Sequence, residues 1–557
     1  MDKKMTDYMN RIIPVVGNHL RGKRMAFINL QFTHLVAEAF ARCGVNDFLF
    51  IDSSFVVEGS QMYMSYGVNY LRKSCAQAVQ DVFMQHNGFE TEWSFVCKPS
   101  ATFEQLKSLS PDIIVAAGTV GECKDYVSMA RSLMIPAVVF TFFKGKQVMC
   151  LISIIDVKYG LDYSVLDEPV EDLSGEPERL DFLEGSDLAA NFSKAVLLMN
   201  TPFGREDIWE IVYTEQRNNI LRGNDSWPWW ILYGSRKSSD SMLQLISEDS
   251  SRHIITPSTD ERLMIIGLGT ASLLAAESIN FYRKLLLVDY KDFTIYNPVR
   301  QLASTSDIGK GKAFAVQQIL ADRLPGVLSA TSLTAEEGFV RTFRKQDFEI
   351  TATSLQLKGC DRSSIDRFEN ILDYFRPTVV VVGMGQTRDD NYVATKILRG
   401  RGLRHVVPAA FPLATHYKHI VVDGSNGPCY SCLQGRLVVD AYGGPELTEE
   451  QREMFYGSGS YEEYTQPATI METWPSVHSA LRLCVQLSVG EREQWFRNCV
   501  DNNQLCFVGA SIRIRRDDSY LYGVRLPGQV VVYSTDEILD LAVTDVCPDC
   551  GRKYSRC

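Results

Sequence analysis

The sequence predicts an α/β protein in which one doubly wound, Rossmann-like unit occurs twice, the second copy carrying a metal site. Three observations lead there. Residues 262–289 run apolar strand, glycine turn (Gly267-Leu268-Gly269), small-residue helix, apolar strand, aspartate (Asp289). Residues 22–57 repeat that order, with Asp52 opposite Asp289. Two C-x-x-C pairs, Cys429/Cys432 and Cys547/Cys550, lie only in the second half.

The strand at 263–266 is a short, wholly apolar run, as expected of a parallel strand covered on both faces. Gly267 and Gly269 let phosphate approach the N-terminus of the helix that follows. Asp289 stands twenty positions past Gly269, where a ribose hydroxyl is held. Downstream come Asn297, Arg300, Gln301, Lys310 and Lys312. Hydride transfer has no use for such cations, whereas a triphosphate does, since Arg and Lys neutralise its charge. The apolar strand at 378–382 ends in GMGQTRDDNYVATK. Paired C-x-x-C motifs fit a tetrahedral structural zinc tying the C-terminal tail to the domain; four unrelated thiols are the alternative.

The repeat continues beyond the first unit. Residues 89–118 resemble 348–385, and residues 187–221 resemble 472–506. The expected organisation is a front domain at 1–240, a Ser- and charge-rich linker at 241–258 and a rear domain at 259–557. The front copy looks chemically empty. Its turn reads Asn29-Leu30-Gln31, it has no evident counterpart of Arg300-Gln301 or Lys312, and it has no C-x-x-C.

N-x-x-R-Q followed by D-I-G-K-x-K-A resembles the adenylating superfamily of ubiquitin-activating enzymes and the thiamin and molybdopterin adenylyltransferases. The resemblance covers roughly 258–557, with an echo in front, and implies two tandem ThiF-type adenylation domains, a pseudo-dimer of one inactive and one active half. GLGTAS departs from the family's richer glycine turn, with Thr270, Ala271 and Ser272 standing in. The resemblance implies ATP, Mg²⁺ and Zn²⁺ as cofactors. Asp289 would hold the ribose, and Arg300 and Lys312 the phosphates. The resemblance implies a Mg²⁺-binding aspartate in an Asp-Asn pair past the strand at 378–382, which is Asp390-Asn391, with Asp389 the runner-up; Mg²⁺ takes one or two carboxylates. Asn297 and Gln301 would orient the nucleotide, with Lys310 the alternative to Lys312. Arg11 falls where an inactive-half arginine reaches the active-half ATP; the rest of that motif is replaced. The stretch 433–474 would be the crossover loop over a partner's C-terminal tail.

The thioester cysteine that such enzymes use has no place in that stretch, where Ala468 stands near the expected position. Cys360, beside Lys358 and Arg362, is an alternative nucleophile, as are Cys484, Cys499, Cys506 and Cys557. The expected partner is a ubiquitin-like protein, with a conjugating enzyme downstream. The fused compact layout is similar to the activating enzymes of bacterial ubiquitin-like (Bil-type) antiphage operons. Rival readings are an adenylyltransferase for a sulfur carrier or a peptide, and a nucleotide-binding scaffold without catalysis. A net charge of −11 argues against a nucleic-acid partner, and no apolar run is long enough for a membrane span. Fourteen irregularly spaced cysteines point to a cytoplasmic location.

Overall fold

The computed structural model describes residues 3–9, 20–118, 120–135, 137–143, 149–155, 257–335, 338–357, 361–384, 388–410, 416–434, 469–492, 494–510, 530–533, 547 and 549–551. Two mixed sheets organise them. The smaller holds β1 (Arg24–Ile28), β2 (Asp47–Ile51), β3 (Ser94–Lys98), β4 (Ile113–Gly118), β5 (Ala137–Phe143) and β6 (Met149–Ile155), in the order β3-β2-β1-β4-β5-β6. All its pairs are parallel except β5–β6.

The larger sheet centres on β7 (Arg262–Ile266), β8 (Lys284–Val288), β11 (Phe348–Thr353), β12 (Val379–Val382), β13 (Arg404–Ala410) and β14 (His416–Val422). Those six strands lie in the order β11-β8-β7-β12-β13-β14, again parallel except at the last pair. The hairpin β9 (Ser329–Ala335) and β10 (Gly338–Lys345) extends one edge; β15 (Cys506–Ala510) and β16 (Val530–Tyr533) extend the other. The inner six strands therefore share the order and directions of the smaller sheet.

Sequence composition explains the central strands. VVVV in β12 and IIVAAG in β4 are buried throughout, because helices cover both sheet faces. Helix α1 (Lys3–Met9) opens the chain, followed by α2 (Leu30–Arg42), α3 (Gln61–Tyr66), α4 (Cys75–His86), α5 (Phe103–Leu109) and α6 (Val120–Leu133). The larger sheet carries α7 (Ala271–Ser278), α8 (Lys312–Arg323), α9 (Arg362–Phe375), α10 (Arg388–Gly400), α11 (Tyr430–Gln434), α12 (Ile470–Ser488) and α13 (Gln494–Asp501). All eight residues of α7 are buried, so it has no solvated face. It packs on α12, where Tyr282 Oη meets Ser488 Oγ at 2.7 Å and His478 Nε2 meets Glu277 Oε1 at 2.8 Å.

Side chains from both sheets belong to one buried cluster. The 3-10 turn Val68–Tyr70 packs on α8, and the 3-10 turn Thr305–Asp307 packs on α4. Gly67 shows how close these surfaces come: its φ is +89°, and a Cβ there would stand 2.3 Å from Arg323 Cα. Nearby, Gly88 N donates to Thr305 Oγ1 at 2.9 Å.

Three local details differ from the sequence expectations. The strands expected at 263–266 and 378–382 begin at Arg262 and Val379. The stretch 433–474 is helical at both described ends, Leu433 in α11 and Ile470 opening α12. The hairpin β9–β10 extends the larger sheet beyond β11 and has no counterpart among the described residues beside β3, a departure from the expected repeat. The linker 241–258 lies outside the described residues except for its last two positions.

Candidate functional site

In a doubly wound sheet the ligand crevice opens where neighbouring strands run off in opposite directions. In the larger sheet that point is the C-terminal end of β7, between β8 and β12. Gly267 leaves β7 there with φ +82°, and Gly267 N donates to Val288 O at 2.8 Å. A Cβ on Gly267 would lie 2.4 Å from Gly383 O, so the β7 and β12 turns touch backbone to backbone. Packing alone therefore requires glycine at 267. Gly269 is different. A Cβ there would meet only Gln301 Nε2, at 3.9 Å, so packing would accept a side chain and glycine keeps the space open.

Asp289 at the end of β8 holds this turn. One carboxylate oxygen accepts from Leu268 N at 2.6 Å, the other from Lys291 N at 2.9 Å. Its role is thus structural before any ribose is considered. Ser272 faces the protein, with Oγ donating to Gly269 O at 2.7 Å and accepting from Leu302 N at 3.0 Å.

Lys312, the first residue of α8, is brought beside Asp289 because Asp292 and Gly311 bridge two short extended segments. Only 7% of it is exposed, and its ammonium lies 5.6 Å from the Phe293 ring centre. Burial pulls the ammonium down to about 8; Asp289 opposes that shift, and Arg300 and Lys291 add to it. A buried cation crowded by two others is a site awaiting negative charge. Gln301, 1% exposed, has a buried Oε1 without a hydrogen-bond partner among the described residues.

Other expected residues divide. Lys310 turns away, its ammonium 2.8 Å from Asp307, so of the two lysines it is Lys312 that faces the crevice residues. Asn297 shapes the loop: its Oδ1 accepts from Thr294 N at 2.8 Å. Asp390 lies in the first turn of α10, beyond the C-terminal end of β12 and hence on the crevice side of the sheet. The Asp389 side chain, Arg11, Cys360, Cys557 and Ala468 lie outside the described residues.

The four expected cysteines do come together. Cys429, Cys432, Cys547 and Cys550 place their sulfurs within 4.8 Å of one another. Close pairs stand 3.5–3.6 Å apart. Sulfurs at ordinary zinc–thiolate distance around one ion would be about 3.8 Å apart, so the cluster fits tetrahedral zinc. The Cys432 thiol and burial push the Cys429 thiol up, which a bound dication would reverse. This cluster also grips α10. Tyr392 donates to Asp549 inside the second C-x-x-C, and Arg399 donates to Gly427 O at 3.0 Å and Pro428 O at 3.3 Å.

Cys484, Cys499 and Cys506 are core residues, and burial raises each thiol, Cys499 to about 11 and Cys506 to about 12. A raised thiol is a poor nucleophile.

No family model matches the chain, and no curated protein matches it. Among solved structures, crystal structures of E. coli MccB are similar in part. The one described as MccB + ATP has 12% identity and a TM-score of 0.32, covering 53% of this chain and 68% of that one. MccB + Succinimide has 11% identity and a TM-score of 0.30, covering 50% of this chain and 64% of that one. MccB + SeMet MccA has 12% identity and a TM-score of 0.32, covering 53% and 67%. Likeness at this level carries no argument about activity, which rests on the site itself.

The smaller sheet holds the same turn with different chemistry. Asn29 leaves β1 with φ +63°, as Gly267 leaves β7, and Asn29 N donates to Ile51 O. Asp52 accepts from Leu30 N at 2.6 Å and Ser54 N at 2.7 Å, as Asp289 does from Leu268 and Lys291. Phe55 bridges Ser74 as Asp292 bridges Gly311. By that register, the first residue of α4, Cys75, takes the place of Lys312. Contrary to the sequence expectation, the front half does hold a counterpart of Lys312, and it is a neutral group. Burial raises the Cys75 thiol to about 11. A pairing signal was available in the sequence, since Asp52 to Cys75 and Asp289 to Lys312 have equal spacing.

Proposed function

We propose that the chain is an ATP-dependent adenylating enzyme, built from two tandem Rossmann-like halves of which the rear is active, that activates the C-terminal carboxylate of a ubiquitin-like protein. The observation that carries this reading is the buried Lys312 beside the space that Gly269 leaves open at the switch point of the larger sheet. A buried cation in such a crevice suits the triphosphate.

In the proposed reaction a carboxylate oxygen attacks the α-phosphorus of ATP. The bond from that phosphorus to the bridging oxygen breaks, and pyrophosphate departs with the electron pair. Lys312 and Arg300 offset phosphate charge, Gln301 orients the nucleotide, and Asp289 fixes the turn and receives the ribose. Asp390 would hold Mg²⁺, which would supply further charge neutralisation. Most of the rate enhancement then comes from positioning and fixed charge. Cys429, Cys432, Cys547 and Cys550 would hold Zn²⁺, and the tail so anchored would reach α10 through Asp549 and Tyr392. A conjugating enzyme in the cytoplasm is the proposed recipient, and a Bil-type operon the proposed setting.

Burial of Cys484, Cys499 and Cys506 favours adenylation without thioester formation at those three positions. ATP–pyrophosphate exchange with purified ubiquitin-like proteins bearing a free C-terminal glycine tests the reading. Exchange only with such a protein supports it. Exchange with a short peptide or a sulfur carrier instead moves the assignment to those substrates. ATP binding without exchange leaves a scaffold. No helix among the described residues is long and apolar enough to cross a membrane.

A further inference from the structure

Arg42, at the end of α2 in the smaller-sheet half, has a buried position that the adenylation reading leaves unexplained. Its side chain is 1% exposed. The guanidinium reaches across to the loop that carries Arg300: Nη1 donates to Pro298 O and, at 2.9 Å, to Gln301 O. Its other face is held by Glu38 one helical turn earlier, with Nε 3.1 Å and Nη2 2.9 Å from Oε1. His86 closes the cluster, its Nε2 3.4 Å from Arg42 Nη2 and its Nδ1 3.1 Å from Glu38 Oε1. Burial alone would raise the Glu38 carboxyl, but His86 and Arg42 outweigh it and hold it below the ordinary carboxylate range.

The two carbonyls that Arg42 grips bracket Val299 and Arg300 in sequence. Asn297 shapes the loop's start through Thr294, and Ser272 takes Leu302 N at its end. Between them, Ile470 N donates to Val299 O at 3.1 Å, and Arg42 holds the two flanking carbonyls from outside the larger sheet. A planar, always charged group with several donors suits two carbonyls at once, and a lysine ammonium cannot reproduce that fork.

We propose that Arg42 is a positioning residue that clamps the 298–301 loop from the opposite half, so that Arg300 and Gln301 are presented in register with Lys312. This extends the nucleotide-site reading given above and rests on it for its effect on ATP. It also accounts for the front half being kept although it lacks the cationic site: that half supplies a clamp to its neighbour's site.

Two measurements on the full chain test it. The first needs no ligand. Amide hydrogen exchange is followed in wild type, Arg42→Lys and Glu38→Gln. Exchange at 299–303 should accelerate at least tenfold in Arg42→Lys, with β1 and β7 amides unchanged. Unchanged exchange at 299–303 would overturn the clamp. The second is calorimetric binding of Mg·ATP to Arg42→Lys, Arg300→Ala and the double variant. Each single change should weaken binding at least tenfold, and the double variant should be weaker than Arg300→Ala by less than the full Arg42→Lys fold-change, because part of the Arg42 effect passes through Arg300. Fold-changes that multiply in the double variant would overturn action through Arg300. If exchange accelerates but wild type binds no Mg·ATP, the clamp stands and the nucleotide reading falls.

Discussion

The turn at Asn29 and the turn at Gly267 share a backbone and differ in chemistry. Each leaves a buried parallel strand through a left-handed residue, and each is held by an aspartate accepting two backbone N–H groups. What changes is the filling. The front turn has Gln31 and a buried, neutral Cys75 where the rear turn has Gly269 and a buried lysine. Features present in both turns serve the fold, and those confined to one are candidates for chemistry. On that criterion Asp289 is weaker evidence for a nucleotide than its sequence position suggested, while Gly269 and Lys312 are stronger.

The comparison breaks most readily at those two positions. Gly269→Trp should retain the fold and lose detectable ATP binding, because only open space and Gln301 face that Cβ. Gln31→Trp in the front turn should leave ATP binding as it was. Lys312→Ala should cut pyrophosphate exchange by on the order of 100- to 1,000-fold, the cost of losing one fixed charge at the reacting phosphates. Cys75→Ser should leave exchange unchanged. Equal effects in the two halves, by calorimetry and exchange assay, would defeat the division of labour.

The four-cysteine cluster offers a test through stability. Cys547→Ser should reduce bound zinc from one per chain to well under one and lower the melting temperature, since binding energy at such a site is folding energy. It should also raise the Mg²⁺ concentration needed for exchange, because Tyr392 and Arg399 tie α10 to the cluster. Metal analysis and thermal melts check the first two effects, and pyrophosphate exchange across a Mg²⁺ titration checks the third. Smaller effects follow from the shared aspartates. Asp52→Asn and Asp289→Asn should each cost about 2 kcal/mol by weakening charge-assisted bonds to the turn. Only Asp289→Asn should alter ATP affinity, and denaturant melts paired with calorimetry would separate the two roles.

The mildest test is pH. The Lys312 ammonium is pulled down to about 8 from its ordinary 10.5. Phosphate needs the charged form, so ATP affinity should fall above about pH 8, by about tenfold per unit at most, and binding near pH 8 should take up a proton. Between those two values the folded chain has shed a proton that the unfolded chain still holds. The contribution of Lys312 to stability therefore rises with pH there while affinity declines. Lys312→Arg should flatten the affinity profile.

Much of this was legible in sequence where the signal was local. The β7–turn–α7–β8 unit followed from its apolar runs and glycines, and the four cysteines from their paired spacing. What depended on distant backbone was not legible. Gly267 looked like a phosphate glycine, yet its tightest constraint is Gly383, brought close only when β12 pairs with β7. In sequence, Lys312 is preferred to its alternative Lys310 only through the family resemblance; the fold separates them, one turned to Asp307 and one buried against Phe293. Arg42 gave no signal at all, because its partners are carbonyl groups, which carry no side-chain signature.

The division of labour between the two turns requires one nucleotide site per chain, in the larger-sheet half. Titration of the full chain with Mg·ATP by calorimetry tests it directly. The predicted result is a stoichiometry of one, abolished by Gly269→Trp and unaffected by Gln31→Trp. Two sites per chain, or one site that survives Gly269→Trp and disappears with Gln31→Trp, would contradict it.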